Sequence, residues 1–215
     1  MARITAGTVW RPQLAKPPGK CAPNVNLSNG RDSGTRGALG TGTWEVLRQP
    51  TASFREHAVI AWIRQWAPQH GLVFRQDGAG NVLLTCARRQ PVRGAEPHWV
   101  YMAHMDHPGF VAVRQRARLL WAEFRGHMLP RYFRGGRVRF FMPAGEVGAL
   151  VTAHKPRRGL AFPICRLRLD RPVRVPPGSI GMWDVGPPRV RGRWLSACAC
   201  DDVAGVAVVL AAMAE

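Results

Sequence analysis

Apolar and polar residues change rhythm three times along the chain. Over residues 1–43, in stretches such as "AKPPGKCAPNVNLSNGRDSG", Gly, Pro, Ser and Asn dominate and no period is visible. A disordered leader, or a start codon placed too early, is expected there. Order is expected from residue 44. In "TASFREHAVIAWIRQWAPQHG" Ser53 and Glu56 form a capping-box pattern. Phe54, Ala58, Trp62 and Trp66, flanked by Val59 and Ile63, then make one helical stripe that Gly71 ends. "LVFRQDGAGNVLLTCA" reads as two short strands around turn residues 77–81. "HWVYMAH" reads as a buried strand ending at His104.

From residue 109 to about 193 the helical period disappears. Six strand-like pieces follow, "FVAVRQ", "LLWAEF", "RVRFFM", "GALVTAH", "ICRLRL" and "VRGRWLSA", broken by "GG", "PAG", "KPRRG", "VPPG" and "VGPP". Short strands separated by Gly/Pro turns predict a small β-barrel. "SACAC" reads as one more buried strand, and "DDVAGVAVVLAAMAE" opens a helix with acidic residues at its positive end. No internal repeat is visible.

Composition changes this picture little. The 215 residues, 46% hydrophobic and 20% charged, are enough for a sizeable core. The net charge of +18 raises the question of a polyanionic partner. Of 31 basic residues only Lys16, Lys20 and Lys155 are lysines, which leaves 28 arginines. With abundant Ala, Gly and Pro, this bias is what a GC-rich coding sequence produces, and the arginines run along the whole chain instead of clustering. Nucleic acid is therefore not the expected partner. Five cysteines, Cys21, Cys86, Cys165, Cys198 and Cys200, include no CxxC pair. No signal peptide is visible, and the longest apolar run is too short for a membrane span. A cytoplasmic protein is expected.

Two stretches carry candidate chemistry. In "YMAHMDHPGF" a histidine and an aspartate stand two apart, so at a strand end their side chains point the same way. Such a pair suits a metal-binding histidine whose second ring nitrogen is held by a carboxylate; it equally suits a polar cluster at a strand end. In "CACDDVAG" two carboxylates lie between a strand and a helix, where α/β folds place ligands. They equally suit a helix cap.

Taken together, Ala103-His104-Met105-Asp106-His107-Pro108-Gly109-Phe110 and Ala199-Cys200-Asp201-Asp202-Val203-Ala204-Gly205 resemble the tetrahedral aminopeptidases, a family of co-catalytic metallo-aminopeptidases that includes glutamyl and deblocking aminopeptidases and proteins once labelled cellulase M. The segment upstream of residue 86, with its Ser-x-x-Glu and Asp-x-x-Gly-Asn strings, resembles the family's opening, so the likeness covers residues 44–215. The 97 positions between His104 and Asp201 leave room for the barrel that the family inserts there. Carboxypeptidase-like dimetal hydrolases share H-x-D but end their second motif in Met-Lys-Gly-Gly, which this chain lacks.

The resemblance implies an α/β, phosphorylase/hydrolase-like metallopeptidase domain (44–106 and 194–215), C-terminally truncated, with an inserted small β-barrel domain (107–193). It implies two divalent metal ions, zinc or cobalt, a peptide substrate, and homo-oligomers formed through the barrel. His104 would bind metal, Asp106 would orient His104, and Asp201 would bridge the ions with a cis peptide to Asp202. His107 stands where the family has Glu, Val203 where it has Arg, and Phe54 where it has Gly. The family continues beyond this helix with a Glu-Glu pair (general base and ligand), another acidic ligand and a histidine. Partial metal occupancy is therefore expected, and so is an inactive or merely binding fragment. Cys198 and Cys200 share a strand face and are candidates for substitute ligands; burial as core residues is the other reading. Glu123, Glu146, His127 and His154 are read as surface or turn residues of the barrel.

Overall fold

A computed structural model describes residues 24–26, 42–86, 100–155, 161–191 and 194–215. Most of the expected leader lies outside the described residues. Three of its residues nevertheless form a strand, β1 (Asn24–Asn26). A 3-10 helix, Thr43–Arg48, follows and buries Val46 and Leu47.

Helix α1 (His57–Gln69) buries Val59, Ile63, Trp66 and Ala67. The stripe is thus rotated from the one expected: Phe54 precedes the helix and is 74% exposed. No side-chain cap forms at its start. Pro68 sits in the last turn, and Gly71 closes it in the left-handed region (φ 69°) that a glycine occupies without penalty. Strands β2 (Leu72–Gln76) and β3 (Val82–Cys86) pair antiparallel as the pattern predicts. Their turn is built by Asp77, whose carboxylate accepts the backbone N–H groups of Ala79 (2.9 Å) and Asn81 (2.8 Å).

Of the expected strand "HWVYMAH", residues 98–99 lie outside the described residues, and 100–107 are not a strand. Val100, Tyr101 and Met102 are 74%, 63% and 88% exposed, and no neighbouring strand among the described residues offers them hydrogen bonds. An apolar run without a pairing partner cannot become a sheet strand.

The barrel is closed. Its strands are β4 (Gly109–Arg116), β5 (Leu119–Arg125), β6 (Arg137–Met142), β7 (Gly145–Lys155), β8 (Ile164–Leu169) and β9 (Ile180–Trp183), in the spatial order β4-β5-β8-β7-β6-β9. Alternation explains the inside: along β8, Cys165, Leu167 and Leu169 are buried while Arg166 and Arg168 face out. Phe110, Phe124, Phe133 and Phe140 fill the centre, Phe110 and Phe133 each meeting Phe124 edge-on at 5.1 and 4.7 Å. First and last strands are neighbours, pairing Phe110 with Gly181 and Val111 with Ile180. The chain therefore leaves the barrel where it entered.

The expected single strand "VRGRWLSA" is two strands, β10 (Arg189–Arg191) and β11 (Trp194–Ser196), and β11 carries β1 on its other edge. The strand expected in "SACAC" stops at Ser196. A wide turn, Cys200–Ala204, leads into α2 (Gly205–Ala214). Every described strand pairing is antiparallel. One core fills the barrel. A second joins the 3-10 helix, α1, α2 and the 197–204 segment to Val111, Ile180 and Met182 on the outer wall of the barrel.

Candidate metal centre

His104, just before β4, and Asp201, just before α2, meet although they are 97 residues apart. His104 Nε2 lies 3.2 Å from Asp201 Oδ1. On the other side of the ring, Nδ1 lies 3.0 Å from Asp106 Oδ1 and 3.2 Å from the Asp106 carbonyl. Both neighbours of Nδ1 are acceptors, so Nδ1 carries the proton and donates it. In the neutral ring Nε2 then turns a lone pair toward a carboxylate oxygen. Two acceptors at that separation are stable only with a proton or a cation between them. Burial disfavours charging His104, yet the carboxylates of Asp106, Asp201 and Asp202 outweigh it and hold the ring above the ordinary histidine value. The site is open: the side chains of His104 and Asp201 are 54% and 86% exposed.

The second motif grips the first through its neighbour. Asp202 Oδ2 accepts the backbone N–H of His104 (3.3 Å). It reaches that position because residue 205 is glycine: a Cβ there would overlap the Asp202 carboxylate. The Asp201–Asp202 peptide is cis. Asp201 (φ −104°, ψ 103°) is extended, not helical, so neither carboxylate caps α2.

His107, which replaces an acidic residue in the resemblance, donates from Nδ1 to the Asp201 carbonyl (2.9 Å). Burial lowers its pKa below the ordinary value, so it serves as a neutral backbone anchor. The two thiols pack into the core. Burial pushes Cys198 up to about 12 and Cys200 upward as well, which keeps both protonated in the core. Glu123 is engaged by Arg125 (2.7 Å) and Glu146 by Arg139 (3.2 Å). His127 is exposed, and His154 stacks on Phe133 at 3.8 Å.

Sequence reasoning misplaced Ser53. Its hydroxyl donates to Asp106 Oδ2 at 2.6 Å instead of capping α1. Glu56 accepts the Phe54 N–H (2.6 Å). Thr51 Oγ1 donates to the Met105 carbonyl (2.8 Å), so the 51–54 loop is stitched to "HMD" at two points. Phe54, where the resembled motif has glycine, keeps a left-handed backbone (φ 64°). Gly109 allows this close approach, since a Cβ there would lie 2.9 Å from Ala52 Cβ.

The donor types brought together here, one imidazole nitrogen and one carboxylate oxygen, fit one edge of a zinc or cobalt site. They do not complete it: no group of three His, Cys, Asp or Glu residues among the described residues is placed to hold a metal.

Comparison with solved structures places the fold. The chain superposes on a TET aminopeptidase from the marine sediment archaeon Thaumarchaeota archaeon SCGC AB-539-E09 with a TM-score of 0.59 at 16% identity, covering 84% of this chain and 54% of that one. The fold is that of the TET aminopeptidases. The Pyrococcus horikoshii TET1 peptidase, which can assemble into a tetrahedron or a large octahedral shell, matches with a TM-score of 0.56 at 17% identity (81% and 55% covered). An aminopeptidase from Desulfurococcus kamchatkensis matches at 0.57 and 18% identity (82% and 51% covered). The chain thus spans about half the length of the TET structures it matches. No protein-family model and no curated protein matches the sequence. No described helix is long and apolar enough to cross a membrane.

Proposed function

We propose that the chain is a member of the TET aminopeptidase family and carries one edge of a metal-assisted peptidase site. His104 Nε2 and Asp201 Oδ1 would hold metal, with Asp201 shared between two ions of zinc or cobalt. Asp106 positions the His104 ring and fixes its tautomer, and Ser53 and His107 hold Asp106 and Asp201 in turn. When bound, such a metal pair supplies an acidified water able to attack the peptide carbonyl of an N-terminal residue. The supporting observation is the approach of Nε2 and Oδ1 to 3.2 Å across 97 residues, in a fold shared with aminopeptidases.

Catalytic zinc sites hold three protein ligands, so the remaining donors and the general base have to come from outside the described residues. Turnover by these residues unaided is not expected; loss of general acid–base help alone costs ~10²–10⁴-fold. The donor count also favours a second reading, a binding module that associates with copies of itself through the barrel and does not turn over substrate. We place the protein in the cytoplasm, a reading supported by the four unpaired cysteines Cys86, Cys165, Cys198 and Cys200.

The test is calorimetric titration with Zn²⁺ or Co²⁺, paired with an aminoacyl-anilide assay. Weak binding that disappears in both His104→Ala and Asp201→Asn is expected, with little hydrolysis. Hydrolysis that survives His104→Ala would sink the assignment. Light scattering of the metal-free chain tests the binding-module reading, which fails if the chain stays monomeric.

A further inference from the structure

Arginines that look dispersed along the sequence are gathered by the register of the barrel. Across β4, β5 and β8, Arg114 pairs with Trp121 and Trp121 with Arg166. One row further on, Arg116 pairs with Leu119 and Leu119 with Arg168. Side chains directly across a sheet share a face, so four arginines project from one outer wall, with Trp121 between two of them. At roughly 4.8 Å per strand, Arg114 and Arg166 stand about 10 Å apart on either side of the indole. The Arg114 guanidinium already lies over the Trp121 ring, 3.9 Å from its centroid.

Two grooves meet at this wall. One, of about 460 Å³, is lined by Trp121 with Arg114, Lys155 and Arg166. The other, of about 620 Å³, includes Arg114, Arg118 and Arg174. They join at Val113 and Arg114, where β4 bulges between Ala112 and Arg114. Neither groove is lined by a carboxylate. Among the described residues, Arg114, Arg116, Arg166, Arg168, Arg174 and Lys155 form no ion pair. Two barrel acids, Glu123 and Asp170, pair with Arg125 and Arg137, and Asp170 also feels the charges of Arg118 and Arg168.

We propose that this wall of the barrel binds single-stranded nucleic acid, with the phosphates along the two basic grooves and a base stacked at the Arg114–Trp121 pair. Cations lining two adjoining grooves suit an extended polyanion. A planar guanidinium on an indole beside those grooves is a stacking platform, which unpaired bases can use and duplex bases cannot.

The test uses the full chain and a fluorescein-labelled oligothymidine of about 12 nucleotides, within the ~4–16 nucleotide span of small barrels. Fluorescence anisotropy is followed as salt is raised. Substituting Arg114, Lys155 and Arg166 together by Ser is expected to reduce the log–log salt slope by about 2, at ~0.7 per phosphate contact. Trp121→Leu is expected to weaken binding about tenfold and leave the slope unchanged. Trp121 is half-buried, so its effect counts only if thermal unfolding is retained; the triple variant, all exposed cations, decides the matter otherwise. The control removes the same charge elsewhere, at Arg55, Arg75 and Arg134. An equal loss of slope in that control would overturn the proposal, since net charge alone would then explain binding. Absence of oligonucleotide binding, or tighter capture by phosphatidylserine vesicles that the triple variant abolishes, would overturn it as well.

Discussion

The hydroxyl of Ser53 offers the sharpest check on how the candidate centre is held. It donates to Asp106 Oδ2 at 2.6 Å, while Oδ1 of the same carboxylate faces His104 Nδ1 at 3.0 Å. Ser53→Ala deletes one anchor and leaves the fold around it intact. A hydrogen bond to a charged group contributes ~1.5–3 kcal/mol when shielded. The Asp106 side chain is 36% exposed, so solvent recovers part of this, and about 1 kcal/mol is the appropriate expectation. Asp106→Asn keeps the shape and removes the charge. A double-mutant cycle of Ser53→Ala and Asp106→Asn, read by urea unfolding, should give a coupling energy of about 1 kcal/mol with unchanged m values. Nitrogen NMR of the imidazole supplies the second readout: the proton on His104 Nδ1 should become less populated in Ser53→Ala. A coupling inside the ~0.3–0.5 kcal/mol error of additivity, with the tautomer unmoved, would refute the idea that Ser53 positions the centre.

Three further outcomes follow from the geometry. Gly205→Ala should displace the Asp202 carboxylate from the His104 N–H and destabilise the chain by about 1–3 kcal/mol, measured by denaturation. Phe54→Gly and Ala117→Gly should each raise stability by about 0.5 kcal/mol, because left-handed backbone (φ 64° and 51°) costs ~1–2 kcal/mol without glycine and glycine's extra chain entropy returns about half of that. Asp170 is held below the usual carboxylate range chiefly by its hydrogen bond from Arg137. Its folded pKa is therefore the lower one, so its contribution is full above the unfolded carboxylate pKa and fades as pH falls through the folded value. Asp170→Asn should flatten the stability profile in that acidic window, and an unchanged profile would show that the pair contributes nothing.

What could be read in the sequence was periodic or local. "ICRLRL" and "RVRFFM", read as strand-like pieces, are β8 and β6. Asp77 and Asn81 announced their turn, and the H-x-D and D-D pairs announced the two residues that meet. Hidden features were those decided by distant partners. Ser53 with Glu56 has the local form of a helix cap, and a carboxylate 53 residues away outcompetes it. "HWVYMAH" has the composition of a strand, but the described residues supply no edge for it to join. The four residues of β9 were too few to show a period. The basic wall was invisible for the same reason: Arg114 and Arg166 are far apart in sequence and become neighbours only through strand register.

The adjacency of β4 and β9 bears on how the centre assembles. Bringing His104 to Asp201 through 97 flexible residues would cost about 4 kcal/mol in chain entropy, comparable to what a few hydrogen bonds return. Once the barrel has closed, its entry and exit strands already lie side by side, and the remaining gap shrinks from 97 residues to five before β4 and eighteen after β9. The barrel thereby acts as a molecular staple that sets a high effective concentration of one ligand at the other. The barrel that separates the two motifs in sequence is, in kinetic terms, what lets them find each other.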